Sequence, residues 1–539
     1  MSNITSRENI FGESTMYKPT KEQQISWFDS RFVCENLFAK NILYREIRQI
    51  CDEFIQKIDF TPLYCPDNGR PAKPEVLMKA LVLQRLFNLS DRQLEEACRF
   101  DIRYKYILDL ELDDMGFDHS VFGKFRERLL ASQKHKEALF ELVKMIADAG
   151  LIKQNENQRT DSFHVIANVA VPAASELIRE GIRICLRQLK RRHYDLFRQA
   201  QEKLDTTKYL EGELAKGLKP EPDEFLRQLR LTEVVGDAKA LVAFLDRDLH
   251  PSVAYRRSVL IRLLYENTEP AEKGYKESKE THPDRIISAV DPEARHGAKS
   301  KTRKFNGYKA HVTETVESKF ITNITVTPGN VTDSEPVVEN TREIVNKAGL
   351  TPEKIIGDGA YGTGDNRQQL KEMGIQLVAP PRPQSLSEDL VNGNFSYDPE
   401  KQTVKCPAGI TTAKKTYNEN SQAFIFHFPK EACQTCELKD ACTKNKNGRT
   451  ISVNKYYQVQ MEALEYSKTE EYKLEIKKRC PIEGTGAELV YHHGLRRARY
   501  WGCVKVEFQA VLTALAVNIK RWANIRLASL KPVKTGPAV

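Results

Sequence analysis

The acidic residues with most chemical promise stand at the ends of short apolar runs. Asp161 follows Arg159-Thr160 at the start of a strand-like run that continues through Ser162-Phe163-His164-Val165-Ile166. Asp358 closes Lys354-Ile355-Ile356-Gly357 and precedes Gly359-Ala360-Tyr361-Gly362, a turn where backbone can pass close to a substrate. A buried unpaired carboxylate is costly, so neither reads as a core residue. Capping a turn is the structural alternative for each. Phosphodiester cleavage at neutral pH needs help at the attacking and the leaving oxygen, and two divalent cations about 3.5–4 Å apart stabilise both. Mg2+ takes hard oxygen ligands, so such a site needs carboxylates converging from separate chain segments.

A second group of residues is built for a softer ion. Cys406, Cys433, Cys436 and Cys442 share one polar segment. Cys433 and Cys436, with two residues between them, form a common half of a zinc site, because two thiolates clasp one ion. Cys406 and Cys442 can complete a tetrahedron, although Cys442 is spaced widely and the second half is not a second such pair. Structural Zn2+ is the favoured reading, stapling a segment too polar to fold on its own core. Free or redox-active thiols are the alternative. Cys34, Cys51, Cys65, Cys98, Cys185, Cys480 and Cys503 are scattered and read as buried or chemically quiet.

The chain has 539 residues, 40% hydrophobic and 29% charged. That length asks for two or three domains, or one core with large insertions. No run nears the roughly 20 apolar residues of a membrane span. Met1 to Ser14 carries no apolar stretch of the signal-peptide kind. A cytoplasmic protein with no membrane partner is expected. The net charge of +9 is modest, but its distribution is not even. Six Lys or Arg residues and no acid lie between Arg295 and Lys309, Lys301, Arg303 and Lys304 among them. Lys477, Lys478 and Arg479 form a second run; Arg496, Arg497 and Arg499 a third. Any one run reads as a solvated surface. Three runs around one set of acids point to a polyanion, and so to nucleic acid.

The elements that must position these residues can be read in order. Residues 1–150 look helical. Pro74 opens a helix with Val76, Leu77, Ala80, Leu81, Leu83 and Leu86 on its apolar side. Ser90 N-caps another helix, Asp91 to Arg99, and Asp118 starts a third, through Leu130. A helix-turn-helix-like DNA-binding unit and a plain helical bundle fit equally. After the strand at Asp161, residues 172–285 read as a helical insertion, with its helices ending before Pro251. Tyr308–Val316 and Phe320–Thr327 form a hairpin rich in β-branched residues. A helix over 334–348, a strand ending at Asp358, a helix over 367–373 and a strand at 376–379 follow. Residues 382–470 are the cysteine-rich insertion. Phe508, Val511, Leu512, Leu515, Ile519 and Trp522 mark one stripe of a final helix, read as core packing. The fold class is α/β: a ribonuclease H-like mixed sheet over residues 151–539 with helical and cysteine-rich insertions, preceded by an all-α N-terminal domain.

Several motifs carry a family resemblance over nearly the whole chain. Thr160-Asp161-Ser162-Phe163-His164 resembles the first-aspartate motif of bacterial insertion-sequence transposases of the DDE type. Ile356-Gly357-Asp358-Gly359-Ala360-Tyr361 resembles their second. Ile482-Glu483-Gly484-Thr485-Gly486-Ala487-Glu488-Leu489, with His493-Gly494-Leu495-Arg496-Arg497, resembles the helix bearing their catalytic glutamate. Asp291-Pro292-Glu293, Gly307-Tyr308-Lys309 and Thr327-Pro328-Gly329-Asn330 look like their hairpin region, and Pro74 to Leu130 is similar to their helical N-terminal domain. The cysteine segment resembles an insertion of the same group.

The resemblance implies that Asp161, Asp358 and Glu483 are a catalytic triad holding two Mg2+ or Mn2+ ions. It implies cutting at the ends of a mobile element and transfer of the freed 3′-hydroxyl to target DNA. Double-stranded DNA is then the partner, as terminal inverted repeats and target, with a homodimer on DNA and a nucleoid-associated place in a bacterial cell. Arg479, four residues before Glu483, shares its face if one helix carries both, and can contact a phosphate; Pro481 between them can instead open the helix. Related transposases place Tyr and Lys where this chain has Ile476 and Val490. Gly484 and Gly486 allow close approach of DNA or metal, or mark a frayed helix start. Glu488 faces elsewhere, Asp291 reads as a turn residue and His164 is given no role. A ribonuclease H-like nuclease without strand transfer, or a degenerate transposase kept as a DNA-binding protein, are the alternatives.

Overall fold

The computed structural model describes residues 15–16, 27–40, 42–64, 70–71, 73–212, 216–217, 221–280, 282–300, 302–381 and 387–530. Lys301 and Cys65 lie outside them. The architecture is mixed α/β, a curled mixed sheet with a helical region before it.

The sheet contains β1 (Gln158–Ile166), β2 (Arg295–Ala298), β3 (Lys304–Thr315), β4 (Ile321–Pro328), β5 (Lys354–Ile356) and β6 (Gln376–Val378). β6, β5 and β1 are parallel neighbours, and β3 is antiparallel to β1 along the full length of that strand. β2 and β4 pair antiparallel with β3. The expected hairpin is β3 and β4. β5 pairs with β1 only at Gln158–Ile355 and Arg159–Ile356. The two strands then part, and Asp161, within β1, and Asp358, two residues past the end of β5, lie just beyond the split. Crevices of α/β sheets that bind ligands open at this kind of place.

Ahead of the sheet come α1 (Leu43–Ile55), α2 (Pro74–Leu86), α3 (Asp91–Phe100), α4 (His119–Ser132) and α5 (Lys134–Asp148). Pro74 opens α2, and Ser90 caps α3 in a reciprocal box with Gln93. α2 is buried on all sides rather than along one stripe. Its Lys79 is buried against Asp52 and Asp109. The last helix, α11, spans Cys503–Leu530 after α6 to α10, given below, and is buried around its whole girth from Phe508 to Ile519. Residues of α1, α2, α4, α5, the sheet and α11 join one continuous apolar core. Asn518 on α11 satisfies the outer edge of β4, accepting from Ile321 N (2.9 Å) and donating to Ile321 O (2.8 Å).

The helical insertion holds α6 (Ala174–Arg192), α7 (Glu224–Phe244) and α8 (Pro251–Asn267) around its own core. Here the structure corrects the sequence reading: Pro251 begins a helix instead of marking the end, because proline fits a first turn. The expected helix over 334–348 is an α-helix only from Val337 to Glu343, followed by one wide π turn, Ile344–Ala348. α9 is Gly364–Glu372. The cysteine-rich segment forms two three-stranded sheets. It is not without a core: Leu390, Phe395, Val404, Phe426, Phe428, Ile451 and Val453 are buried together.

Gly307 makes the crossing of β1 and β3 possible. Its φ is +146°, and a Cβ there would lie 2.2 Å from Val165 O and 2.5 Å from Ala167 N. Gly307→Ala should lower stability by at least about 2 kcal/mol. Thermal unfolding of the two proteins, with an exposed Gly236→Ala control where a Cβ meets open space, checks this.

Candidate active site

A cleft of about 500 Å³ opens at the carboxyl edge of the sheet, and Asp161, Asp358 and Glu483 all line it. They arrive from β1, from the turn after β5, and from α10 (Ile482–Ala487). Asp161 Oδ1 accepts the Ser162 N–H (2.8 Å), and Asp358 Oδ1 accepts the Ala360 N–H (2.7 Å). Turn capping is therefore a real task of Asp358, performed by a residue that also faces the cleft. Glu483 is the most open of the three, its side chain 69% exposed.

Burial pushes the Asp161 carboxyl above its ordinary value. The Ser162 N–H and the Arg479 cation pull it back, and the charges of Asp358 and Asp333 add to the push. Arg479 stands between two of the acids, 3.7 Å from Asp161 Oδ2 and 3.9 Å from Glu483 Oε1. It does so without sharing a helix with Glu483. Residues Ile476–Arg479 form a 3₁₀ turn, and Pro481 precedes the first residue of α10.

A buried ionic network fixes α10 on the sheet. Arg159 and Glu314, opposite each other on β1 and β3, pair at 2.6 Å with almost no exposure. The second Glu314 oxygen accepts the Thr485 hydroxyl of α10 (2.6 Å). Arg159 also donates to the Lys478 carbonyl (2.9 Å), holding the turn that carries Arg479. Arg521 of α11 reaches Thr485 (2.8 Å) and Glu488 (2.9 Å). Contact with His493 and the Arg521 and Lys520 cations hold Glu488 well below the usual carboxylate range. Glu488 thus faces α11, away from the side of α10 that carries Glu483. Gly486 is 3.8 Å short of Phe163 at its missing Cβ, and Gly484 meets open space.

The basic residues divide. Arg479 and Arg496 line the cleft. Arg497 is exposed, its backbone bridged to Ile166. Arg303 and Lys304 are exposed beside β3. Arg499 is committed elsewhere: its guanidinium donates to Leu89 O (2.5 Å) and to Asn88 Oδ1 (2.6 Å), joining the segment after α10 to the turn after α2. Asp291 is more than a turn residue, since it is buried and accepts Tyr308 Oη–H (2.6 Å) and Gly502 N–H (3.0 Å).

Sequence reasoning missed four residues on the cleft wall. His164 accepts from Arg496 (2.7 Å) and stacks on Phe305, ring centres 4.9 Å apart. Burial, with Arg496 and Lys299 near, lowers its pKa and keeps it an acceptor. Lys299, Lys309 and Asp333 also line the cleft. Lys299 and Lys309 belonged to a basic run read as a whole. Asp333, in a loop with no periodicity, gave no signal.

Cys406, Cys433, Cys436 and Cys442 all line one small apolar cavity of about 30 Å³. All four are free thiols, and Cys433 Sγ accepts the Arg449 N–H (3.5 Å). Of the scattered cysteines, Cys34, Cys51, Cys98 and Cys185 are buried, Cys503 is half-buried and Cys480 is exposed. Among the described residues, Glu95, Asp118 and His119 alone bring three candidate ligand atoms within 4.8 Å of one another. They are explained by capping, since Glu95 accepts the His119 N–H (3.1 Å) at the start of α4. No helix of the described residues is long and apolar enough to cross a membrane.

Two family models match the chain. Residues 32–128 match a transposase domain, DUF772, and residues 405–523 match a transposase DDE domain. The second match contains Glu483 and the four clustered cysteines; Asp161 and Asp358 lie outside both. No curated protein and no solved structure matches. Each match covers part of the chain: the N-terminal segment is similar to a transposase domain and the C-terminal segment to a transposase DDE domain. With one match near each end, the chain is supported as an insertion-sequence DDE transposase.

Breaking the Arg159–Glu314 pair should strand a buried charge. Glu314→Gln should cost about 3–5 kcal/mol, read as a shift in the urea unfolding midpoint. The double change Arg159→Met with Glu314→Leu should recover most of that loss.

Proposed function

We propose that Asp161, Asp358 and Glu483 are the catalytic carboxylates of an insertion-sequence transposase and hold two Mg2+ or Mn2+ ions. In this reading residues 151–539 form a ribonuclease H-like catalytic domain, interrupted at 172–285 and 382–470, and residues 1–150 form a helical DNA-binding domain. The path β4–β3–β1–β5–β6, with β3 antiparallel, supports the ribonuclease H-like assignment. The observation that carries the reading is the meeting of three acids from distant segments in one cleft, with a guanidinium standing between two of them.

The donor set suits a hard divalent cation, because it offers carboxylate oxygens and no thiolate. The Tyr361 hydroxyl is buried close to Asp161 and Asp358 and hydrogen-bonds with the Thr160 side chain. When bound, divalent cations polarise the scissile phosphate and stabilise the attacking and leaving oxygens. Arg479 can take a phosphate oxygen in two parallel hydrogen bonds. Arg496, held by His164, and Lys299 face the same cleft and suit the DNA backbone. Water opens the strand at the element end, and the freed 3′-hydroxyl attacks target DNA in the same cleft. Holding two ends calls for a homodimer on double-stranded DNA.

Mg2+-dependent cleavage of DNA carrying the inverted repeats that flank the gene tests this. Asp161→Ala, Asp358→Ala and Glu483→Ala should each lower the rate at least about 100-fold. A variant that cuts like wild type removes its residue from the triad. Joined products separate transposition from simple cutting.

Cys406, Cys433, Cys436 and Cys442 form a structural Zn2+ site in this reading, because four thiols face one cavity beside a small core. Protein purified without chelator should contain one zinc per chain by atomic absorption, and Cys433→Ser should lose it. Zinc content equal in the two proteins would favour free thiols.

A further inference from the structure

Four carboxylates line the cleft, one more than the triad. Asp333 lies in the loop after β4. β4 is antiparallel to β3, and β3 to β1, so β4 ends on the same edge of the sheet as β1 and β5. That topology delivers Asp333 to the mouth where Asp161 and Asp358 emerge. Its negative charge bears on Asp161 and on the buried Tyr361.

The contacts of Asp333 differ from those of a turn cap. Asp358 accepts a backbone N–H of its own turn, but Asp333 Oδ1 takes the Lys309 ammonium at 3.0 Å. Lys309 Nζ also donates to Val331 O at 2.8 Å. Two side-chain cations therefore stand on the acids of the cleft, Lys309 on Asp333 and Arg479 beside Asp161 and Glu483. One buried polar atom near Asp333 is left open: Nδ1 of His311, a residue 1% exposed whose other ring nitrogen meets Thr327 (2.9 Å). Four carboxylates thus share one cleft wall with a flexible ammonium, and part of their charge is balanced from within the chain.

We propose that Asp333 is a fourth metal-binding carboxylate of this cleft, and that Lys309 is its internal counter-ion, released when a divalent cation enters. The proposal rests on the metal-site reading of the triad. An ammonium is a strongly hydrated point charge on a flexible stem, so it can leave Asp333 without remaking the fold. Once released, Lys309 remains on the cleft wall, where it can meet a substrate phosphate.

Mn2+ titration of the full-length protein without DNA tests this, with free Mn2+ followed by its electron paramagnetic resonance signal. Asp333→Asn keeps an acceptor for Lys309 and should weaken uptake about tenfold or more. Lys309→Met removes the competing cation and should tighten it. Melting temperatures in chelator report whether each variant is folded, and Lys309→Met reads the proposal independently if Asp333→Asn is unstable. Uptake by Asp333→Asn equal to wild type overturns the proposal, as does weaker uptake by folded Lys309→Met. Asp358→Asn separates the two readings. If it binds like wild type while Asp333→Asn does not, the triad assignment fails and Asp333 stands. The reverse pattern removes Asp333 and keeps the triad.

Discussion

The Arg159–Glu314 pair joins the parts of this molecule that must cooperate. It crosses from β1 to β3 two residues before Asp161, at the point where β5 leaves the sheet. Its carboxylate fixes Thr485 on α10, and its guanidinium fixes the Lys478 carbonyl in the preceding turn. Two charges taken out of water are expensive. The expense is offset by several charge-assisted hydrogen bonds, which also set the position of Glu483 against Asp161. A well-packed apolar pair could hold β1 to β3 as firmly. It could not reach α10 and the Arg479 turn with the same direction.

Much of this geometry follows from sheet topology. Parallel β1 and β5 open a crevice where they diverge, and two reversals of direction return β4 to the same edge. Three strands thus feed the same rim with loops. α10 then needs only one face against β1. It is short, six residues, and passes into a π turn at Glu488–His492. Turns of that width are frequent at functional sites. Here the turn lets Glu488 lean to Lys520 and Arg521 of α11, and His493 to the Arg85 carbonyl of α2 (3.2 Å), while Glu483 stays open to the cleft.

The sequence was legible where one residue type has one local consequence. Pro74 and Ser90 mark helix starts because the physics of a first turn is local. Asp161 and Asp358 stand out because acids at the ends of apolar strands are costly. The β3–β4 hairpin shows in its β-branched alternation. Legibility fails where the role depends on a distant partner. Arg499 looked like one more DNA-facing cation, yet its donors are spent on Asn88 and Leu89, more than four hundred positions away. Asp291 looked like a turn residue, but Tyr308 and Gly502 make it a buried anchor. Asp333 lies in an aperiodic loop, and only the path of β4 brings it to the cleft. The cysteine-rich segment looked too polar for a core because its apolar residues are dispersed among strands of only two to five residues.

The charge balance of the cleft explains why its basic wall is not simply a DNA-attracting surface. Burial raises the Asp161 carboxyl, and the charges of Asp358 and Asp333 on the same cleft add to the cost of ionising it. Arg479 and Lys309 reduce that cost within the chain. In the proposed metal-site reading the same two cations oppose metal entry, because each must yield part of its place to a divalent ion. A polyanionic substrate reverses the balance: phosphate offers Arg479 and Lys309 a better partner than a shared carboxylate, and frees the acids as it does so. On that proposal, substrate and metal ions favour each other's binding through these two side chains, with no change of fold required.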